Sequence, residues 1–383
     1  MTEAATSVPR YVATTQTPDR APPSSVKGPI AWMRDNLFAT WTDTILTLVA
    51  LYLVYLLVDG IVNWGLLHAV WTGNDGTACS IKGAGACWPF ISAKMGQFMY
   101  GSYPEALRWR VNLTYLLAIA GLAPLMIPPV PGKLWAALYL IFVFPVIAVI
   151  LLSGGVLGFA PVQTSLWGGL MVTLVVASAG IAGAFPLGII LALGRRSQMP
   201  AVRLISVTII EFVRGVPLIT VLFMASVMLP LFLPGNITID KLVRALVMVA
   251  VFAAAYLAEV IRGGLQAIPK GQFEAADALG LTYWQAMGLI ILPQALKLVI
   301  PGIVNTFIAL FKDTSLVLII GIFDLLGAVQ SAMTDSKWLS PSTPTTGYVF
   351  AGFVFWAFCF AMSRYSLVIE RRLAAGGQRT AAK

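Results

Sequence analysis

Histidine is nearly absent from this sequence, cysteine is scarce and charge is thin: of 383 residues one is His, 3 are Cys, and only 11% are Asp, Glu, Lys or Arg. His68 stands alone, and no Cys/His cluster offers the ligand set of a zinc-type centre. There is no G-x-x-x-x-G-K-[ST] loop, so the chain is not expected to hydrolyse nucleotide, and no G-x-S-x-G turn supplies a serine nucleophile. Positions 1–40, rich in Pro, Thr, Ala and Ser, lack the apolar core and cleavage site of a secretory signal and read as a mobile tail. The formal charge is +9, yet the basic residues are scattered around apolar segments. A basic stripe is missing, and nucleic acid is therefore not an expected partner.

What the sequence has in abundance is apolar surface. Hydrophobic residues make up 58% and the mean hydropathy is +0.85, outside the balance of a soluble domain. Lipid is the expected solvent. A spanning helix needs roughly 20 apolar residues, and about eight stretches meet that requirement: 44–67, 111–127, 135–152, 166–193, 206–233, 242–262, 301–326 and 348–368. With the N-terminus cytoplasmic, most short-loop Lys and Arg fall inside, among them Arg34, Lys133, Arg195, Arg196, Arg203, Lys270, Arg364 and Arg371. Lys82, Lys94, Arg108 and Arg110 share one longer loop on the other side. The positive-inside bias thus places both termini in the cytoplasm.

That outer loop, at about 68–110, contains "GNDGTACSIKGAGACWPF". Cys79 and Cys87 are close enough in sequence to close a small ring in an oxidising periplasm; two free small residues are the alternative. An uncharged, glycine-rich connection near 158–163 then separates two unequal parts. The expected organisation is a tail over 1–40, a three-span extension over 41–160, a working module over 161–372 and a cytoplasmic tail over 373–383.

Charge inside apolar sequence marks candidate sites, because each such group costs about 2.5–3.5 kcal/mol to insert. "EFVRG" from Glu211 and "EVIRG" from Glu259 repeat the pattern Glu-x-x-Arg-Gly, and the i,i+3 spacing lets Glu pair with Arg on one helix face. A local ion pair near lipid explains either copy. The first copy, however, precedes Val216 and Pro217, where a broken helix is expected, and broken backbone within a membrane lines protein or a watery cavity. In "IALFKDTSLVLII", Lys312 and Asp313 fall about halfway through the span starting at Pro301. Thr314 and Ser315 add hydroxyls at that level, and a solute pathway is favoured over a purely structural salt bridge.

Between two apolar runs lies "GQFEAADALGLTYWQ", which reads as a soluble helix. Pro269 to Gly271 make a turn, Gln272 to Leu279 suit a short helix, and Gly280 suits its end. Ala275, Ala276 and Ala278 offer small-residue surface for a close partner, being poor lipid anchors. Glu274-Ala275-Ala276, then Gly280, then Ile290-x-Leu292-Pro293 resembles the EAA loop of permease subunits in bacterial ATP-binding cassette importers. Together with "LGIILALGRRS", "EFVRGVPL" and "KDTSLVLIIG", the segment from about 166 to 372 resembles the polar amino-acid permease branch, similar to histidine and glutamine permeases. The long first half with "GAGACW" is most similar to the M subunit of the general L-amino-acid importer.

The resemblance implies an all-α polytopic fold with a five-helix type I importer core, about eight transmembrane helices in all, and a cytoplasmic coupling helix within an EAA loop at about 263–293. It also implies a bacterial inner-membrane location beside a homologous permease subunit, two ATPase subunits that bind ATP and Mg, and a periplasmic amino-acid-binding protein. No cofactor is implied for this chain. Glu274, Ala275, Ala276 and Gly280 would couple to the ATPase; Glu211, Arg214, Lys312, Asp313 and Thr314 would contact substrate. Val216 departs from the family, which often has a small hydroxyl residue there. The competing expectation is a transporter or channel driven by an ion gradient through Glu211 and Asp313.

Overall fold

Small residues at four-residue spacing decide how the long helices meet. In the computed structural model, Gly180, Ala184, Gly188 and Ala192 form a buried stripe along the helix Gly169–Arg195, and Ala250, Ala254 and Ala258 form another along Lys241–Ala267. Lipid gives apolar side chains no reason to leave it, so helix association relies on close backbone approach and van der Waals packing. At Gly188 an added Cβ would stand 2.8 Å from Leu257 Cβ. Only glycine permits that contact without moving a helix.

The structure describes residues 28–127, 130–232, 234 and 238–381, with side chains as far as Arg371. The tail expected over 1–40 lies outside the described residues up to position 27, and Pro29–Leu37 is helical. In the tail expected over 373–383, the described backbone continues the helix Thr343–Ala381.

The chain forms two units, Met1–His68 and Ala69–Lys383. In the first, the helix Trp41–Val62 has no buried residue and continues through a wider turn at Asn63–Leu67. Thr40 caps it, its Oγ1 accepting from Asp43 N at 3.1 Å. Apolar on every face, this helix suits lipid rather than a water-facing surface.

The second unit holds the other membrane-length helices. Among the described residues of the whole chain, 7 helices are long and apolar enough to cross a membrane, or 8 if one bent pair counts as a span. That pair is Pro200–Gly215 and Leu218–Phe232, which meet at 104°. The bend falls at Val216 and Pro217, where proline supplies no backbone donor and restricts the residue before it. Lys241–Ala267 begins at Asp240, whose Oδ1 accepts from Leu242 N at 2.8 Å and Val243 N at 3.2 Å. It stops just before Pro269 for the same steric reason as the bend.

The span expected over 301–326 is present as Ile300–Ile320 and ends six residues early. Ile300–Asp313 is α-helical, Thr314–Ile320 tightens into a 3-10 helix, Gly321 takes a left-handed φ of 73°, and Leu325–Met333 is a separate helix. Asp324 starts the new helix by accepting from Gly327 N at 2.9 Å, a capping choice that apolar run length does not reveal.

A smaller apolar core joins the cysteine loop to this separate helix. It packs Phe90, Phe98, Leu325, Val329 and Trp338 around Cys79 and Cys87, which are bonded as a disulfide. Cys87 N donates to Thr346 Oγ1 at 2.9 Å, Ser342 Oγ donates to Cys79 O at 3.3 Å, and Lys94 pairs with Asp335. At Gly169, with φ of 64°, a Cβ would lie 2.3 Å from Phe98 O, so glycine is required where these segments cross.

Candidate functional site

The break at Val216 and Pro217 redirects the chain beside a cavity of about 470 Å³. Leu218, the middle of the Lys241–Ala267 helix and the Ile300–Asp313 helix line it, and one side is open. Val249, Phe252, Ala253, Ala309 and Leu310 make its wall largely apolar; Tyr256, Asn305, Thr306 and the carboxylate Asp313 supply the polar groups. Such a space, mostly apolar with a few convergent polar groups, suits a small organic solute.

Of the residues expected to contact substrate, only Asp313 lines this cavity. Lys312 is exposed and is not part of the lining, its neighbour on the helix being offset by about 100°. Thr314 is fully buried, and its Oγ1 donates to Phe311 O at 2.8 Å. Its hydroxyl proton is therefore committed to its own helix turn.

Glu211 and Arg214 belong to a charged cluster instead of closing on each other. Arg195 Nη1 donates to Glu211 Oε1 at 2.7 Å and lies 2.8 Å from Glu259 Oε1. Arg262 binds Glu259 Oε2 through Nε at 3.0 Å and Nη2 at 2.8 Å, while Arg214 Nη1 stands 3.9 Å from that oxygen. The second Glu-x-x-Arg copy thus makes its i,i+3 pair, whereas the first exchanges it for partners on other helices. An i,i+3 pair contributes only about 0.2–0.5 kcal/mol, too little to resist a guanidinium delivered by tertiary packing. The Arg214 guanidinium also sits 5.6 Å from the centre of the Tyr256 ring, a cation–π contact that joins the cluster to the cavity wall.

The short helix Lys270–Ala278 follows on the chain. Ala276 is turned into the protein and is fully buried, leaving Glu274, Ala275 and Ala278 on the outside. The small-residue surface is narrower than the three alanines alone suggest. Gln294 Nε2 donates to Gln272 Oε1 at 3.0 Å, and the Arg196 guanidinium lies 5.8 Å from the Phe273 ring centre. Gly280 closes the helix with φ of 71°, the left-handed conformation that favours glycine. Leu279, Tyr283 and Trp284 beside it are exposed. Among the described residues no group of three His, Cys, Asp or Glu side chains could hold a metal ion.

The sequence matches the family described as the binding-protein-dependent transport system inner membrane component over residues 184–375. The chain belongs to that family. The inner-membrane permease YhdY of Escherichia coli K12, an amino-acid ABC transporter permease protein, is 54% identical across 91% of this chain and 94% of its own. BztC of Rhodobacter capsulatus, a glutamate/glutamine/aspartate/asparagine transport system permease protein, is 40% identical across 95% of this chain and 98% of its own. A crystal structure of an amino acid ABC transporter with histidines aligns with 53% of this chain and 92% of its own, at 29% identity and a TM-score of 0.47. The chain is an all-α, polytopic inner-membrane permease component. Its family match contains the cavity, the charged cluster and the Lys270–Ala278 helix; the cysteine loop precedes it.

Sequence reasoning missed Tyr256, Asn305 and Thr306 as cavity residues and Arg195 as a cluster member. Tyr256 precedes Glu259 by three residues, one helical face apart, which is a usable signal. Asn305 and Thr306 carry none, because one amide and one hydroxyl in an apolar helix are also explained by packing.

Proposed function

We propose that this permease forms part of the path by which an ATP-driven importer moves L-amino acids inward. The carrying observation is the cavity: Asp313 stands in its wall and Arg214 rests on Tyr256, another wall residue. A zwitterionic solute presents an ammonium to the first and a carboxylate to the second, and the apolar remainder accommodates varied side chains. The names of YhdY and BztC, both amino-acid permeases, favour the same substrate class.

In this reading a homologous permease subunit completes the path, a periplasmic binding protein delivers solute, and two ATPase subunits hold Mg and ATP. Glu274, Ala275 and Gly280 belong to the surface that meets an ATPase, with Ala276 supporting it from within. Exposed Leu279, Tyr283 and Trp284 give that surface apolar area without lipid-length continuity. Counting the bent pair as one span gives 8 crossings, an even number consistent with two cytoplasmic termini. The Cys79–Cys87 disulfide suits an oxidising periplasmic side.

The test is uptake of labelled L-amino acids into proteoliposomes containing the permease pair, ATPase and binding protein. ATP-dependent accumulation that fails with Gly280→Asp, while that variant still inserts in the membrane, is the expected result. Uptake by this chain alone, driven by a proton or sodium gradient without ATP, overturns the proposal.

A further inference from the structure

The charged cluster leaves one buried acceptor without a hydrogen bond. Glu259 Oε2 accepts twice from Arg262, but the buried Oε1 accepts from no donor among the described residues. Arg195 Nη1 is within 2.8 Å of Oε1, an ion-pair distance, yet its hydrogen bond is directed at Glu211. Buried polar atoms are nearly always satisfied, and an exception in a charged site calls for a cause.

Charge balance supplies one. Three guanidiniums, Arg195, Arg214 and Arg262, face two carboxylates, Glu211 and Glu259. Arg214 is held most loosely, at 3.9 Å. It is also the member that touches the cavity wall through Tyr256. At the other end, Arg195 ends the Gly169–Arg195 helix, and the next residue, Arg196, stacks over Phe273 of the Lys270–Ala278 helix. A continuous set of contacts therefore runs from cavity to coupling helix, and Glu259 is the member with three cations around it and one unfilled acceptor.

We propose that Glu259 is a positioning residue that couples solute occupancy to the Lys270–Ala278 helix by exchanging arginine partners. When Arg195 turns its hydrogen bond to Oε1, Glu259 is satisfied by Arg195 and Arg262, and Arg214 is released toward a solute carboxylate. When Arg195 stays on Glu211, Glu259 retains Arg214 and draws it off the cavity. Movement of the coupling helix acts on this choice through Phe273 and the Arg195–Arg196 pair. The two arrangements differ in which groups are paired, which is the differential contact that coupling between sites requires.

The inference rests on the ATP-coupled permease reading, and the experiment separates the two. In the full reconstituted complex, ATPase activity is measured with and without amino-acid-loaded binding protein, alongside uptake. For Glu259→Gln the loaded-to-unloaded ATPase ratio falls roughly fivefold or more, the lower end of ordinary allosteric coupling, at unchanged complex yield. Glu259→Asp recovers part of the ratio. A ratio equal to wild type in both variants overturns the inference while leaving the transport reading intact; a wild-type complex without ATP-dependent uptake overturns both. If Glu259→Gln lowers complex yield, Glu259→Asp and the exchange pair Arg195→Glu with Glu259→Arg carry the test, and a ratio that merely follows yield in them overturns the inference.

Discussion

The two ends of the Ala69–Lys383 unit are held by different chemistry. At the cysteine-loop end, a buried disulfide and an apolar core tie the loop to the helix Leu325–Met333. At the end that carries the helix Lys270–Ala278, guanidiniums and carboxylates meet with partly exposed side chains and alternative partners. Apolar packing and a covalent ring have one good arrangement, whereas ion pairs near a surface can be redistributed at small cost. The first end is built to stay, and the second can change.

Four experiments break or sharpen this contrast. The largest effect on transport is expected at the cavity: Asp313→Asn should reduce amino-acid uptake at least about tenfold, equivalent to about 1.4 kcal/mol in binding. Thermal unfolding of the purified protein should hardly move, and a large fall in melting temperature would return Asp313 to a structural role. Removing the disulfide with Cys79→Ser and Cys87→Ser should do the reverse. Ring closure over a sequence separation of 8 contributes about 2–3 kcal/mol in the chain-entropy treatment, so stability falls while the coupling ratio holds.

The third concerns Asp324, buried in the capped start of the Leu325–Met333 helix. Burial pushes its carboxyl from the ordinary 3.8 up to about 6. A folded-state value above the unfolded one means that the fold holds the proton more tightly. Its contribution to stability is therefore full below about pH 4 and declines as pH rises to about 6. Asp324→Asn keeps a capping oxygen and removes the buried charge, so it should raise stability at pH 7.5 by on the order of 1–3 kcal/mol and flatten the pH 4–6 slope of the melting temperature. The smallest effect is Lys94→Ala. Its pair with Asp335 is partly exposed, and under about 1 kcal/mol should be lost in chemical denaturation.

Local rules read well where the backbone itself was the constraint. Gly215, Val216 and Pro217 announced the bend, because no tertiary contact restores proline's missing donor. Gly280 announced a helix end for a comparable reason, its φ of 71° being open to glycine and strained for other residues. The apolar runs announced nearly every spanning helix, since a membrane demands length and internal hydrogen bonding from any segment that crosses it. Only the end of the 301–326 run was misplaced: the span stops at Ile320, and apolarity continued through the turn at Gly321 and Asp324.

Side-chain partners were another matter. Glu211 had a suitable arginine three residues away and chose Arg195, which another helix placed at 2.7 Å. Ala276 looked equivalent to Ala275 and Ala278 in sequence, yet helix orientation buried it. Tyr256 and Asn305 became cavity residues only when the bend moved Leu218 to face them.

By itself, then, the sequence determined the solvent, the number of apolar crossings to within one, the breaks and the short polar helix Lys270–Ala278, because each depends on composition or on backbone chemistry within a few residues. The tertiary structure decided which guanidinium meets which carboxylate and which wall Asp313 joins. Those choices are set by distances between helices far apart in sequence, and a local pairing preference of a few tenths of a kcal/mol cannot override them.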